Sequence, residues 1–417
     1  MDDADGTSNR GVATTRGNFR RSLQLLGARR FGTFWFASFL SNVGTWAQQV
    51  AQPWLLLNLG ASSFLLGVDA FAMGAPVLAL TLVGGYLADR ADRRRVIACF
   101  QSLQMLCPTL IVVLLLAGGL EPWIVIAMSL VVGITDALSM PSFQSIVPSI
   151  VTREQLPAGI ALNSTQFNLS RIVGPAVAGM LMAGYGAAGA FTVSALSYLP
   201  FILVALWILP HGARQSATHA GFDRVALVAA VRAVARDRSL RGALLTVLAG
   251  SFLCAPLLTF APVLVMQSFQ GNIGHFSLIM GAFGVGGLLG ATGLLGVDPQ
   301  VDRRSLANAL ALVYAGTVVC AATTGWFWML PVLFVLAGAA MTACNSSANT
   351  LLMAEAPSEL RGQAVSLFMI AVRGGSSAGS LLTGVSVAAL GVRHALLMNG
   401  AVAIALQLLI RRGWSRA

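Results

Sequence analysis

Long apolar stretches, separated by short polar segments, run through nearly the whole chain. A membrane helix needs about 20 mostly apolar residues, and continuous runs of that length are typical of helices rather than of β-barrel strands. The pattern therefore predicts an all-α integral membrane protein with twelve transmembrane helices. These predicted helices 1 to 12 cover residues 33–57, 64–87, 96–117, 123–147, 157–182, 188–209, 242–266, 276–296, 305–324, 328–352, 364–388 and 394–411.

The longest charged interval, residues 211–241, divides the predicted helices into six plus six. Its second part has apolar residues at helical spacing with Arg on the other face, which predicts an amphipathic helix on the membrane surface. We expect five regions along the chain. They are a disordered cytoplasmic tail (1–30), a six-helix bundle (31–210), the cytoplasmic linker (211–241), a second six-helix bundle (242–411) and a cytoplasmic tail (412–417).

The two predicted bundles resemble each other weakly in sequence. Gly174 and Gly179 of helix 5 recur as Gly379 and Gly384 of helix 11, and an Asp-Arg-Arg segment follows both helix 2 and helix 8. Internal duplication of a six-helix unit is typical of transporters, whose substrate site lies near the membrane midplane between the halves. We therefore expect two pseudo-symmetric bundles around a central cavity.

The net charge of +11 comes from 26 basic residues, all of them Arg. Such a charge would also suit a nucleic-acid-binding protein, but its placement indicates a membrane protein. If the N-terminus is cytoplasmic, 23 of the 26 arginines lie in cytoplasmic segments, as the positive-inside rule requires. We therefore expect a multi-pass protein of the bacterial inner (plasma) membrane with both termini in the cytoplasm, and no nucleic-acid partner.

The sequence lacks the usual signs of an enzyme or a receptor. Without Lys, a phosphate-binding loop of the G-x-x-x-x-G-K-[ST] type is impossible, and no His, Cys and carboxylate group has the spacing of metal ligands. Catalytic groups do not converge near one membrane interface, and no sizeable soluble domain is present. We expect no enzymatic activity, no cofactor and no metal, and energy from an ion gradient.

Four ionisable residues lie at membrane depth. A charged side chain is energetically costly there, so each of the four is a candidate functional residue. Asp69 lies in helix 2, Asp136 in helix 4, Arg171 in helix 5 and Arg373 in helix 11. Asp136 is the preferred proton carrier, with Asp69 second. Asp136 and Arg171 lie on consecutive helices that should pack antiparallel, so they could pair. Such a pair would serve equally well as a proton-loading device or as a permanent salt bridge.

Polar side chains form a stripe along helix 1 and a shorter group on helix 10. Unpaired polar groups are costly in lipid, so such a stripe should face a watery cavity. Hydrogen bonding between helices is the alternative. The length of the stripe favours a cavity for helix 1, whereas both interpretations suit helix 10. The predicted cavity-lining residues are Asn42, Thr45, Gln48, Gln49, Gln52, Asn345 and Asn349.

The segment from Gly85 to Arg95 resembles the helix 2–3 loop signature of the major facilitator superfamily, G-x-L-A-D-R-x-G-R-R, with Asp92 in place of the second Gly. The resemblance implies a gating loop that braces the two halves when the cavity opens outward. The alternative is a solvated Arg cluster that only fixes topology. The residues expected to form this loop are Gly85, Asp89, Arg90, Arg93 and Arg94.

A second segment, on helix 5, resembles the G-P-x-x-G-G signature of proton-driven exporters. It contains Gly174, Pro175 and Gly179, with Ala178 in place of one Gly, and ordinary small-residue packing explains it equally well. Wider similarity, over about residues 30–410, resembles the branch that contains enterobactin-type and macrolide exporters. The segments that carry it are Phe34–Trp54, Met140–Pro148, Asn163–Gly179 and Glu359–Ala364.

These resemblances imply a monomeric secondary transporter with helices 1, 4, 7 and 10 around its cavity. Its partners would be a small-molecule substrate, protons and the lipid bilayer. We expect proton-coupled export of an amphipathic organic molecule, such as a drug, a siderophore or another secondary metabolite. The alternative is a proton-coupled importer or facilitator of a small metabolite.

Overall fold

The computed structural model describes residues 24–90, 92–208, 232, 236–298, 301–356 and 361–415. In these ranges the chain is almost entirely helical, which confirms the predicted all-α class. Most of the predicted N-terminal tail and most of the predicted linker, including more than half of its amphipathic helix, lie outside the described residues. The division into five regions therefore stays a prediction.

The helices keep the numbers of the predicted stretches that they overlap. Those of the first half are α1 Arg29–Asn58, α2 Ser63–Arg90, α3 Arg93–Leu116, α4 Pro122–Gln144 (continued by Ile146–Ile150), α5 156–185 and α6 187–207. Those of the second half are α7 Arg238–Ser268, α8 Ile273–Gly293, α9 Arg303–Thr323, α10 Met329–Glu355, α11 (Arg361–Met369, Ile370–Gly374 and Gly375–Leu390) and α12 Val392–Ser415.

A single glycine separates α5 from α6 within the continuous helical run Leu156–Trp207. Gly186 has φ 64° and ψ −167°, a combination that residues with a side chain avoid. A β-carbon built on it would meet nothing within 4 Å, so backbone conformation rather than lack of space requires glycine. The predicted break between 182 and 188 therefore corresponds to a tight reversal of the chain.

Wide π-helical turns interrupt α7 at Gly250–Cys254 and Leu264–Ser268, and α11 at Ile370–Gly374. In α7 both turns lie beside a proline, since Pro256 follows the first and Pro262 precedes the second. Proline removes a backbone donor, which favours an irregular turn nearby. Such turns often occur at functional sites, and the turn in α11 contains Arg373.

Ten helices in the described part of the chain have the length and hydropathy to span a membrane, with Leu156–Trp207 counted as one. Within the first half, α1 packs on α5 and α6, and α4 packs on α2 and α3. Within the second half, α8 packs on α10, and α9 packs on α10 and α12. Smaller hydrophobic clusters lie within each half and the largest one spans both, and the two halves meet along α2–α11 and α5–α8.

The contacts between the halves lie toward the end of the bundle that is remote from the arginine-rich loops. Trp54 of α1 stacks on Phe276 of α8, with ring centroids 5.9 Å apart. Nearby, α2 approaches α11 so closely that a β-carbon on Gly67 would lie 2.7 Å from the carbonyl oxygen of Ser380. From α7, the segment Pro256–Val263 packs on α1 and α2. The halves are therefore closed against each other at the arginine-poor end.

Candidate functional site

Aspartates cap several helices that begin at the arginine-rich end, among them α3 and α9. Asp92 accepts a hydrogen bond from the backbone N–H of Arg94 at 3.0 Å and so caps α3. Asp302 caps α9 in the same way, accepting from the backbone N–H of Arg304 at 3.1 Å. The sequence echo between the halves is thus an equivalence of local structure. With φ −65°, Asp92 also needs no glycine at the position where it replaces one.

The charge of Asp92 is stabilised by its neighbours. Partial burial works to raise its pKa, but hydrogen bonds from the side chain and backbone of Arg94 outweigh burial. The positive charges of Arg94 and Arg95 act in the same direction, so the pKa of Asp92 lies below its ordinary value of 3.8. The cap is therefore ionised at neutral pH.

Of the predicted gating loop, the structure describes one basic side chain, that of Arg94. Its Nη1 donates to the carbonyl oxygen of Leu206 at 3.0 Å, and its Nη2 pairs with Asp92 at 3.3 Å. Both partners belong to the first half, so Arg94 ties this loop to the end of α6. The side chains of the remaining predicted members lie outside the described residues, namely Gly85, Asp89, Arg90 and Arg93.

Inside the first half, Asp69 lies at one end of a chain of hydrogen bonds. Gln52 Nε2 donates to both carboxylate oxygens at 3.0 Å, and Ser129 also donates to Asp69. Gln48 links this group to α6, because it donates to Gln52 at 3.3 Å and accepts from Ser194 at 2.9 Å. The network joins α1, α2, α4 and α6, and Asp69 is 7% exposed.

Asp136 lies at the end of a second chain, nearer the arginine-rich end. Gln104 Nε2 donates to Asp136 Oδ1 at 2.7 Å, and Gln101 Nε2 donates to Gln104 Oε1 at 2.8 Å. Ser41 of α1 lies 3.4 Å from Gln101 Oε1. Arg373 of α11 is the basic side chain whose charge acts on Asp136. A carboxylate of the first half thus interacts electrostatically with a cation of the second half.

The predicted pairing of Asp136 with Arg171 is wrong for the described structure. The guanidinium of Arg171 lies over the ring of Trp46, 5.2 Å from its centroid, and 5.3 Å from that of Phe283. The physical reason is helix packing. Although α4 and α5 are consecutive, α4 packs mainly on α2 and α3, whereas α5 packs on α1 and α8.

The helix 1 stripe divides between two faces of α1. Gln48 and Gln52 are 8% and 7% exposed and bond within the first half, and Thr45 lies 3.2 Å from the hydroxyl of Tyr198 in α6. For these three the structure favours hydrogen bonding between helices over the predicted cavity, because α1 turns them toward α2, α4 and α6. Asn42 and Gln49 are half-buried.

The predicted cavity-lining asparagines of helix 10 have fewer hydrogen bonds to described residues than the polar residues of α1 do. Asn345 lines a small cavity of about 20 Å³ together with Ser251, Tyr314 and Cys344. That volume holds about one water molecule. The Oδ1 atom of Asn349 is buried and has no hydrogen-bond partner among the described residues. The structure therefore places both beside polar groups that have no hydrogen-bond partner among the described residues.

Close helix contacts account for the glycines of the helix 5 segment. A β-carbon on Gly174 would collide with that of Trp46, and one on Gly179 would lie 2.7 Å from the side chain of Ser277. Pro175 is buried between them. These residues let α5 approach α1 and α8, so packing explains them in this structure, and the exporter role stays a prediction.

The structure adds polar residues that sequence reasoning overlooked. Gln101 and Gln104 were detectable, since two glutamines in an otherwise apolar helix 3 are costly without partners. Ser129, Tyr198, Tyr314 and Thr342 gave no comparable signal, because serine, threonine and tyrosine are common in membrane helices that contain no site.

The sequence matches the protein family described as transmembrane secretion effector over residues 22–413. The multidrug efflux pump Tap of Mycolicibacterium fortuitum is 27% identical over 79% of this chain and 82% of its own length. Macrolide efflux protein A of Streptococcus pyogenes is 22% identical over 90% and 93%. The staphyloferrin A transporter of Staphylococcus aureus is 28% identical, but the match spans 42% of this chain and 44% of that protein.

Solved structures share the fold at low sequence identity. A variant of the nucleoside transporter NupG superposes with a TM-score of 0.79 at 13% identity, covering 92% of this chain and all of that one. A bacterial homolog of the human lysosomal transporter Spinster, in its inward-facing and unoccupied conformation, gives a TM-score of 0.71 at 15% identity over 93% and 97%.

Proposed function

The chain belongs to the transmembrane secretion effector family of major facilitator transporters, and from this membership we propose that it exports an amphipathic small organic molecule by alternating access. As a member of this family it is a membrane transporter and not an enzyme. The efflux pumps among its relatives support export as the direction.

The proposed topology has twelve crossings in two pseudo-symmetric six-helix bundles. Ten spans follow from length and hydropathy; α1 adds one, and the break at Gly186 divides Leu156–Trp207 into two. The equivalent caps Asp92 and Asp302 support the symmetry. With the arginine-rich end in the cytoplasm, both termini lie on the cytoplasmic side of the plasma membrane. We take the transporter to be a monomer in the bilayer.

Protons are the proposed coupling ion, with Asp136 as carrier and Asp69 second. The observations that carry this proposal are that Asp136 ends a hydrogen-bonded chain of the first half, and that the turn of α11 containing Arg373 packs on α2 of that half, close enough for its charge to act on Asp136. A nearby positive charge favours the ionised carboxylate, and its withdrawal favours the protonated form. Relative movement of the halves would therefore change the proton affinity of Asp136 in each transport cycle.

The test is uphill transport of erythromycin, a macrolide, by the purified protein in proteoliposomes with an imposed pH gradient. Wild type should concentrate the drug, whereas Asp136→Asn should lose accumulation but keep part of the downhill exchange, because it mimics the protonated state. Asp69→Asn is the matched control and should lose less.

Uphill accumulation by Asp136→Asn equal to that of wild type would show that the carrier lies elsewhere. Accumulation of the drug on the side that the arginine-rich end faces would instead indicate an importer.

A further inference from the structure

Arg171 is a cation at the contact between the halves without an anionic partner. It extends from α5, and its guanidinium lies between the rings of Trp46 and Phe283, 5.2 and 5.3 Å from their centroids. No described residue forms a hydrogen bond or ion pair with it. Stacking on aromatic rings compensates only part of the cost of removing a guanidinium from water.

Two hydroxyl groups of the second half face the same place and also lack partners. A β-carbon built on Gly287 of α8 would lie 3.3 Å from Arg171 Nη1 and 3.3 Å from Thr342 Oγ1 of α10. The hydroxyl of Tyr314 in α9 is close enough to interact electrostatically with Arg171. Both hydroxyls are buried, and neither has a hydrogen-bond partner among the described residues.

The site therefore combines a half-buried guanidinium, which can only donate, with two buried hydroxyls that have no partner among the described residues. Buried polar groups in native proteins are nearly always paired, so an unpaired set calls for an explanation. A guanidinium with hydroxyls beside it matches a carboxylate, whose two oxygens accept several hydrogen bonds. Because Gly287 has no side chain, α8 can approach both Arg171 Nη1 and Thr342 Oγ1 closely.

Aromatic surface continues from this point toward the arginine-rich end. The ring of Trp46 meets that of Phe167, one turn before Arg171 on α5, edge to face at 5.9 Å. Phe167 is 43% exposed. An apolar or aromatic body attached to the carboxylate would contact these two rings.

We propose that Arg171, Thr342 and Tyr314 form a binding site for the carboxylate of an amphipathic substrate whose apolar body lies on Trp46 and Phe167. This inference rests on the proposed export function and adds amphipathic organic anions to its substrates. Since Arg171 belongs to the first half and the hydroxyls to the second, binding would also depend on the position of the halves.

The experiment measures equilibrium binding to the purified full chain in detergent with three probes of similar size. These are 1-naphthoate, the neutral naphthalene-1-carboxamide and the cationic 1-naphthylmethylammonium. Naphthoate should bind tightest to wild type. Arg171→Gln should weaken naphthoate binding by about tenfold or more and leave carboxamide binding unchanged, since a hydrogen bond to a charged group contributes that much. Arg171→Lys should fall between, because it keeps the charge but loses the planar fork.

Glycine variants provide a matched pair on α8. Gly287→Ala places a methyl group between Nη1 and Oγ1 and should weaken naphthoate binding selectively. Gly281→Ala adds a β-carbon that meets nothing within 4 Å and should have no effect. If Arg171→Gln does not fold, Tyr314→Phe and Thr342→Val should each reduce the preference for naphthoate over the carboxamide.

Three results would overturn the inference. They are equal binding of the carboxamide or the ammonium probe, an unchanged preference in the Arg171 and hydroxyl variants, and no naphthoate binding by folded wild type. Erythromycin export that persists under any of these results would leave the proposed function standing. Loss of all gradient-driven transport by wild type would instead refute that function.

Discussion

The interior of the first half differs from that of the second in how its polar groups are satisfied. In the first half, Asp69 and Asp136 each end a chain of hydrogen bonds from glutamine and serine. In the second half, the described carboxylates lie at helix ends, as in the pair between Glu355 and Arg304 at 2.8 Å. Its interior instead contains unpaired hydroxyls, among them Tyr314 and Thr342.

This difference shows how a duplicated fold can divide its tasks. The caps at Asp92 and Asp302 are alike, so the frame of the two halves is preserved. The interiors have diverged: the first holds two carboxylates with their hydrogen-bond donors in place, and the second holds no described carboxylate but includes the hydroxyls of Tyr314 and Thr342, which have no partner among the described residues. We infer that the first half handles protons, and that the second half completes the substrate site.

The largest expected effect concerns the charge that crosses between the halves. Arg373→Gln removes the cation that acts on Asp136 and should abolish uphill erythromycin transport, as Asp136→Asn does. In a double-mutant cycle of transport rates, the double variant should be no worse than either single variant, because both remove one coupling.

Arg393→Gln is the control for this cycle, since Arg393 donates to the carbonyl oxygen of Ala322 and stacks on Phe269 far from Asp136. Full uphill transport by Arg373→Gln would mean that the first half handles charge alone, which would break the comparison.

A smaller effect, on protein stability, is expected from the close backbone contact between α8 and α10 in the second half. A β-carbon on Gly290 of α8 would lie 2.8 Å from the Cα of Ala339 in α10, so Gly290→Ala should destabilise the protein by about 1–3 kcal/mol. Gly293→Ala, in the same helix with nothing within 4 Å of its β-carbon, should be nearly neutral. Thermal unfolding in detergent measures both, and equal transition temperatures would argue against close packing of α8 on α10.

The smallest expected effect concerns the aspartate helix caps that both halves contain. Asp302→Ala should destabilise the protein by about 1 kcal/mol, and Asp92→Ala similarly, because each removes a helix cap. Partial burial opposes ionisation of Asp302, but hydrogen bonds from Ser305 and Arg304 and the charge of Arg304 lower its pKa below 3.8. A lowered folded-state pKa gives stability that is present above pH 3.8 and lost as the pH falls through the folded-state value.

Asp302→Asn keeps an acceptor but does not titrate, so its unfolding free energy should approach that of wild type in acid. A constant difference between the two at all pH values would show that the cap contributes no charge-dependent stability.

The sequence predicted the helices well because their signal is local. About twenty apolar residues in a row identify a span wherever it lies, and the predicted break between 182 and 188 contains the reversal at Gly186. The Asp-Arg-Arg echo also predicted an equivalence, since a cap depends on the residues next to it.

The partners of the buried charges could not be predicted in the same way, because they depend on which helices touch. Asp136 and Arg171 are close in the chain, yet their helices pack on different neighbours. Gln48 and Gln49 are adjacent in sequence, but they lie about 100° apart around α1, and Gln48 is the one bound inside the first half. Helical spacing gives the relative directions of side chains around one helix, but it does not show which of them point toward the protein interior.

The contact between α2 and α11 affects the rate at which the two halves can move apart. Gly67 and Gly74 face Ser380, Ser377 and Gly384, so over this stretch the two surfaces meet through small residues. Separating such surfaces requires few rotamer changes and exposes little apolar side chain, which keeps the activation barrier for switching low. The rate of turnover would then be set by how long substrate and proton stay bound, and the α2–α11 contact would contribute little friction to the cycle.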